Sequence, residues 1–274
     1  MKKILFPTEF ATHAPEVFKY AVELAHVFKA HLILLHAYGK PEYGLPTDEQ
    51  LEIRRNSVKN NMTKFVQTHL PEEYREQIKM SYVAKIGYPN HVILKVAKEE
   101  EVDVIVMGMT DKGKTIETIF GTTSKDILAK AACPVLAIPP SAKFEGIHNI
   151  VYNANFEFRD LEAINYLKLW SSTFDAAIHC AHISENKEKE LLARKNMVLL
   201  SGACKEQGMM NFEVISGVLK QVIDGYAKSK KANIIAMFSY KRNFVARLLA
   251  SSAVKGIARN ISTPLLVIKD SRLN

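Results

Sequence analysis

Val102-Asp103-Val104-Ile105-Val106-Met107 runs into Gly108-Met109-Thr110-Asp111, and after nine intervening residues comes Gly121-Thr122-Thr123-Ser124, followed by Asp126-Ile127-Leu128-Ala129. The first run is apolar and β-branched and predicts a buried strand; the last predicts a helix. One glycine therefore falls at the carboxyl end of a strand. A second, with three hydroxyls behind it, falls at a helix amino terminus. Glycine at a strand end lets a ligand approach the backbone closely. A helix start offers unpaired N–H groups and a partial positive charge, which suits phosphate. The hydroxyls of Thr122, Thr123 and Ser124 add donors, and a plain N-cap needs only one of them. The stretch favours a strand–loop–helix phosphate cradle.

Strand and helix alternate on both sides of it. Ile4–Phe6 predicts a strand, and Val17, Ala21, Leu24 and Phe28 then recur at helical spacing, with Pro15 tolerated in a first turn. Leu32–His36 is a second strand. Thr47-Asp48-Glu49-Gln50 reads as a capping box opening a helix with Leu51, Val58, Met62 and Phe65 on one face, closed by Pro71. Ile78–Ala84 is a third strand, and His91–Lys98, after Pro89, a further helix. Val102–Met107 and Val135–Ile138 are the fourth and fifth strands. This order predicts an α/β fold with a doubly wound, five-stranded, mostly parallel sheet and about four helices. Ligands of such sheets sit beyond the carboxyl ends of the strands, where strand order reverses. Pro7, Thr8 and Glu9, His36 and Ala37, and Met107 and Gly108 all lie at such ends.

The chain then repeats itself. Ile4-Leu5-Phe6-Pro7-Thr8-Glu9-Phe10 matches Ile150-Val151-Tyr152-Asn153-Ala154-Asn155-Phe156, 146 residues later, and Leu32–His36 falls on Ile178–His182 at the same offset. Beyond that the second copy is 16 residues shorter and the offset becomes 130, placing Gly87 on Gly217, Gly108 on Phe238, Gly121 on Ser251 and Pro134 on Pro264. Two tandem Rossmann-like domains are expected, at residues 1–140 and 147–274, joined through Pro139–Gly146. The second copy lacks the cradle: Phe238-Ser239-Tyr240-Lys241 and Ser251-Ser252-Ala253 stand in its place, and Asn155 replaces Glu9. A phenylalanine ring where backbone must meet phosphate is expected to block it, although Lys241, Arg242 and Arg247 leave another anion open. His36 recurs as His182 in the copy without a cradle, which favours a structural role for both.

Composition narrows the class. A hydrophobic share of 47% and a charged share of 24% are those of a globular chain. No apolar run reaches the ~20 residues needed to span a bilayer, so no membrane contact is expected. Met1–Pro7 reads as a first strand and not a signal peptide. Cys133, Cys180 and Cys204 lack paired spacing, which argues against a disulfide framework or a zinc site and fits a reducing cytoplasm. Cys133, beside the cradle, reads as a small buried apolar side chain over a reactive thiol. The net charge of +8 is concentrated after Phe144, where 18 Lys and Arg face 12 acids. No basic tract is interleaved with aromatics, so no nucleic-acid partner is expected and the excess reads as solvated surface.

These motifs carry a family resemblance. The chain resembles the universal stress protein family, whose nucleotide-binding members use Gly-x2-Gly-x9-Gly-(Ser/Thr); here that pattern falls on Gly108, Asp111, Gly121 and Thr122. Ile4–Phe10 resembles the family's first strand and turn, Leu32–Ala37 its second strand and Cys133–Ile138 its last. The resemblance covers the first half of the chain. It implies binding of ATP, or of ADP or AMP, with contacts at Pro7, Thr8, Glu9, Ala37, Met107, Gly108, Asp111, Gly121, Thr122, Thr123 and Ser124. Two positions depart from it. Glu9 stands where the family has Asp; its carboxylate either meets ribose hydroxyls or serves the dipole of the following helix. Asp111 stands for the second glycine; it either repels phosphate, adopts left-handed geometry through its backbone, or helps hold Mg²⁺ beside Lys112 and Lys114. The resemblance also implies pairing through the last strands, here Val135–Ile138 with Leu265–Ile268 inside one chain, or in a homodimer. A regulatory role in stress response is expected, with a non-nucleotide interaction or small-ligand-binding protein of the same fold as the alternative. Neither a Gly-x4-Gly-Lys-(Ser/Thr) loop nor a Gly-x-Ser-x-Gly elbow occurs, and no catalytic base is evident, so any ATP hydrolysis is expected to be slow.

Overall fold

The apolar runs that read as strands pack as strands because both faces are covered. A computed structural model describes residues 1–39, 47–109, 121–204, 209–239 and 262–270. The chain forms two compact units, the first comprising Met1–Met109 and Thr122–Pro140, the second including Ser141–Asn274. In the first unit the elements are β1 (Lys3–Pro7), α1 (Ala14–Val27), β2 (His31–Tyr38), α2 (Asp48–His69), β3 (Met80–Ile86), α3 (Pro89–Glu99), β4 (Val104–Gly108), α4 (Thr122–Lys130) and β5 (Val135–Ile138). The third strand starts two residues later than its apolar pattern suggests. Ile78 is buried, but its amide closes a turn on the Tyr74 carbonyl instead of joining the sheet.

The strand order is β3-β2-β1-β4-β5, all parallel. Chain order steps outward from β1 to β3 and then crosses back to β4 on the other side of β1. With right-handed crossovers this reversal puts α1 and α2 on one face and α3 and α4 on the other. Accordingly α1 packs on α2, and α3 on α4. The reversal point lies between β1 and β4, which pair through Ile4 with Val104 and Leu5 with Ile105.

Local chemistry fixes the helices. Thr47 accepts the Gln50 amide and the Gln50 side chain accepts the Thr47 amide, closing the expected capping box. Of the apolar face expected on α2, Met62 is buried and Leu51, Val58 and Phe65 are half-buried; Val66, outside that face, is buried as well. Its Phe65 ring meets Phe6, Phe18 and Phe10 at 6.5, 5.3 and 5.4 Å, which ties α2 to the carboxyl end of β1.

The second unit repeats the first at the expected offsets. It holds β6 (Asn149–Asn153), α5 (Asp160–Phe174), β7 (Ala177–Ser184), α6 (Lys187–Ala203), β8 (Met210–Ser216), α7 (Leu219–Ser229), β9 (Ile234–Ser239) and β10 (Leu265–Lys269). Its order is β10-β9-β6-β7-β8, the same winding. The repeat extends to backbone angles. Phe10 and Phe156 have φ of 57° and 56°, Lys29 and Asp175 51° and 54°, Glu101 and Lys231 50° and 50°. The last two pairs differ in residue type yet share the left-handed conformation that ends a helix, so position in the fold sets it. The core of this unit centres on Trp170, Tyr152 and Phe156, all fully buried.

Candidate functional site

In the first unit the reversal point brings together residues that lie far apart in sequence. The parallel strands β1, β2 and β4 end at Pro7, Tyr38 and Gly108, with Pro7 paired to Leu35 and Leu5 to Ile105, so their carboxyl ends lie on one edge of the sheet. Pro7, Thr8, Glu9, Ala37, Met107 and Gly108 thus share one rim. The rim is held from below. The Thr8 amide donates to the Leu35 carbonyl at 2.9 Å, and the Met109 amide to the Ile138 carbonyl at 2.8 Å. His36 Nδ1 donates to the Thr8 carbonyl at 2.7 Å, and His182 Nδ1 repeats this on Ala154 at 2.9 Å in the second unit. Both histidines are structural, as their recurrence suggested: each braces the turn that leaves the first strand of its unit.

The side chains around the rim have distinct states. Thr8 is buried and its hydroxyl accepts the Phe10 amide at 3.0 Å. Glu9 is exposed, and among the described residues its carboxylate has no hydrogen-bond or ion-pair partner. It lies before α1 and not in its first turn, where Glu16 is the acid, so it does not serve that helix's dipole as a first-turn residue. Pro7 and Ala37 are half-buried, and Met107 is buried. At the start of α4, which Gly121 directly precedes, Thr122 is exposed, Thr123 half-buried and Ser124 buried. Thr122 and Thr123 therefore keep surface exposed, and Ser124 does not. Asn90 in the first turn of α3 donates to Asp126 in the middle of α4 at 2.6 Å, tying the two helices together. That bond, with Lys130 at 3.2 Å, holds the Asp126 carboxyl below its ordinary value against the opposing effect of burial. Asp111, Lys112 and Lys114 lie outside the described residues, as do Lys241, Arg242, Arg247, Ser251, Ser252 and Ala253.

One neighbour of the rim belongs to no motif. A Cβ on Gly108 would lie 2.5 Å from His13 Nε2, 2.9 Å from its Cδ2 and 3.2 Å from Val17 Cγ2. The room left by the missing side chain at Gly108 is thus taken by an imidazole. His13 is the N-cap residue of α1, but its side chain makes no cap hydrogen bond. Nothing in the sequence flagged it, since a lone histidine before a helix is unremarkable; only the fold sets it over Gly108.

The second unit treats the same places differently. Phe238, at the position of Gly108, is buried in the sheet. Asp160, in the first turn of α5, is 1% exposed. It accepts the Tyr152 hydroxyl and the amides of Asn155 and Glu157 at 3.2 and 2.8 Å. Burial pushes its carboxyl above the ordinary value, while these three donors pull it back. The first unit has Phe6 and Ala14 at these positions, so it has neither the hydroxyl nor the carboxylate.

The described residues hold no group of three or more His, Cys, Asp or Glu that could bind a metal ion. None of their helices is long and apolar enough to cross a membrane. Cys180 and Cys204 are buried, and burial pushes both thiols up. Cys133 is only half-buried, which corrects the expectation of a buried side chain. The loop before Pro134 keeps it near the surface.

Known proteins match this arrangement. Residues 1–139 match the model of the universal stress protein family. A universal stress protein of Methanocaldococcus jannaschii is 27% identical over 154 residues, which cover 50% of this chain and 94% of its own. One of Thermus aquaticus is 30% identical over 141 residues, 50% of this chain and 98% of its own. Over the full length, the crystal structure of a universal stress protein from Archaeoglobus fulgidus superposes with a TM-score of 0.75 at 18% identity, covering 99% of this chain and 97% of that one. A Pseudomonas aeruginosa protein of unknown function superposes with a TM-score of 0.68 at 15% identity, covering 100% and 94%. At these identities the full-length matches speak for the fold.

Proposed function

The chain belongs to the universal stress protein family, and from that premise we propose that its first repeat binds ATP, or ADP or AMP, as a regulatory ligand in a stress response. The observation that carries this reading is the meeting of the β1 and β4 carboxyl ends at the reversal of strand order, with glycine at 108. In a doubly wound sheet that crevice is where ligands bind. In this reading the backbone around Ala37 meets the adenine edge and the free carboxylate of Glu9 meets ribose hydroxyls. Pro7, Thr8 and Met107 shape the floor. Gly108, Asp111, Gly121, Thr122, Thr123 and Ser124 form the phosphate cradle, with Thr122 and Thr123 as hydroxyl donors and Ser124 in the wall. A magnesium ion, if the ligand brings one, would take its protein oxygen from Asp111. The second repeat, with Phe238 for glycine and Asp160 turned inward, is structural.

The reading includes pairing through last strands, within the chain or in a homodimer, and a cytoplasmic location, for which the motive is three cysteines without paired spacing. Gly121→Val is expected to abolish nucleotide binding, read by calorimetry, without lowering the melting temperature by more than a few degrees. Ser251→Val, its counterpart in the second repeat, should leave affinity alone. Unchanged affinity in Gly121→Val would remove the site assignment. The absence of nucleotide binding in the parent protein would favour the second reading, a non-nucleotide interaction or small-ligand-binding protein of the same fold, for which Asp111 in place of the cradle's second glycine is the motive.

A further inference from the structure

The two units build the turn after their first strand with the same backbone. Phe10 and Phe156 share a left-handed φ, and the Ala14 amide bonds to the Ala11 carbonyl at 2.8 Å as the Asp160 amide bonds to that of Glu157 at 2.9 Å. The turns differ in what their free amides meet. In the second unit the amides of Asn155 and Glu157 both donate to the Asp160 carboxylate. The equivalent amides in the first unit are those of Glu9 and Ala11. Among the described residues neither has an acceptor. The residue at the position of Asp160 is Ala14, which has none to offer. One copy of the turn thus carries a bound carboxylate of its own, and the other presents the same two donors without one. Paired backbone amides in a turn of this kind form an anion-binding concavity.

His13 closes the same turn. Its ring stands against Gly108, at the crevice, and among the described residues its nitrogens have no hydrogen-bond partner. The second unit has Arg159 at this position, turned to Glu157 at 3.1 Å.

We propose that the turn Glu9–His13 of the first unit is an anion subsite, in which the Glu9 and Ala11 amides and the His13 imidazole take a phosphoryl group of the ligand. The glycine motif does not contain it. It deepens the nucleotide reading and rests on it, since the phosphoryl group is that of a nucleotide seated in the adjoining crevice. Glu9 is exposed, and its carboxylate has no partner among the described residues, so the same turn also carries a negative group. The subsite therefore suits a phosphoryl group next to a ribose better than the terminal end of a polyphosphate chain.

The test transplants the second unit's carboxylate. Ala14→Asp puts an acceptor where Asp160 sits, and His13→Ala removes the imidazole. Calorimetry with ATP and with AMP on the parent protein and both variants reads affinity, and circular dichroism with thermal melts reads folding. Each variant is expected to weaken ATP and AMP binding about tenfold or more, as loss of a hydrogen bond to a charged group does. The melting temperature of His13→Ala should stay within a few degrees of the parent. If Ala14→Asp does not fold, His13→Ala decides. A parent protein that binds nucleotide while a folded variant binds it equally well, or more tightly, overturns the subsite and leaves the nucleotide reading standing. A parent that binds neither nucleotide ends both.

Discussion

Placing a methyl group at residue 108 tests how the crevice is packed. In Gly108→Ala the new Cβ would lie 2.5 Å from His13 Nε2 and 2.9 Å from its Cδ2. Carbon–heavy-atom contacts are comfortable at about 3.5–4.0 Å, so the imidazole must withdraw by about an ångström. Val17 Cγ2, 3.2 Å away, limits the methyl on another side, and Val17 is 2% exposed in α1. Overpacking of a methyl in such surroundings costs about 1–3 kcal/mol. The ring is half-buried and can move, which sets the expected cost near the lower end, about 1–2 kcal/mol. Removing the ring first removes the two shortest contacts. In a His13→Ala background the same change should cost no more than about 0.5 kcal/mol, leaving a coupling of roughly 1 kcal/mol between the two sites, within the range seen for touching residues. Urea unfolding of the parent, both single variants and the double variant measures it. An equal cost of Gly108→Ala in both backgrounds would refute the placement of His13 over Gly108, whatever the protein binds.

Three further outcomes are expected. Gly87→Ala and Gly217→Ala should each lower stability by about 1–3 kcal/mol. Both glycines hold φ near +145°, and their new methyls would meet Val92 at 2.9 Å and Val222 at 2.5 Å; a neutral thermal melt for either would contradict the shared turn. Asp160→Ala should cost about 3 kcal/mol by leaving the Tyr152 hydroxyl and two amides without their acceptor. A loss below 1 kcal/mol in urea would show that water replaces the carboxylate. Asn90→Ala should raise the Asp126 pKa toward 3.8. Because the folded value is depressed, the stabilisation is complete above the ordinary value of 3.8 and is lost as pH falls through the folded value. The variant should therefore lose less stability across that acid window. Carboxyl NMR titrations of Asp126 in both proteins check this, and identical curves would be the contrary result.

Much of this architecture is written in short-range patterns. The capping box at Thr47–Gln50 and the inward face of α2 follow from local rules, and so does the strand–helix order. The repeat offsets of 146 and 130, read from a handful of apolar residues, also place the strands of the second unit, as Asn149–Asn153 follows Lys3–Pro7 and Met210–Ser216 follows Met80–Ile86. What escaped the sequence depends on tertiary placement. Ile78 is apolar and buried like a strand residue, but its amide is committed to a turn. Cys133 is small and apolar, but its loop keeps it near the surface. His13 shows no periodicity and no motif; its position over Gly108 arises because the first helix and the fourth strand, 77 residues apart at their nearest ends in sequence, meet across β1. The contrast between Ala14 and Asp160 is visible in the sequence once the repeat is aligned, but its meaning requires the hydrogen bonds of the second unit.

The central claim is that one repeat binds an adenine nucleotide and the other does not. Titration calorimetry of the full chain with ATP and magnesium tests it most directly. A single class of sites at one nucleotide per chain is expected. Two nucleotides per chain, or no heat of binding with millimolar ATP together with no nucleotide protection against thermal unfolding, would contradict it.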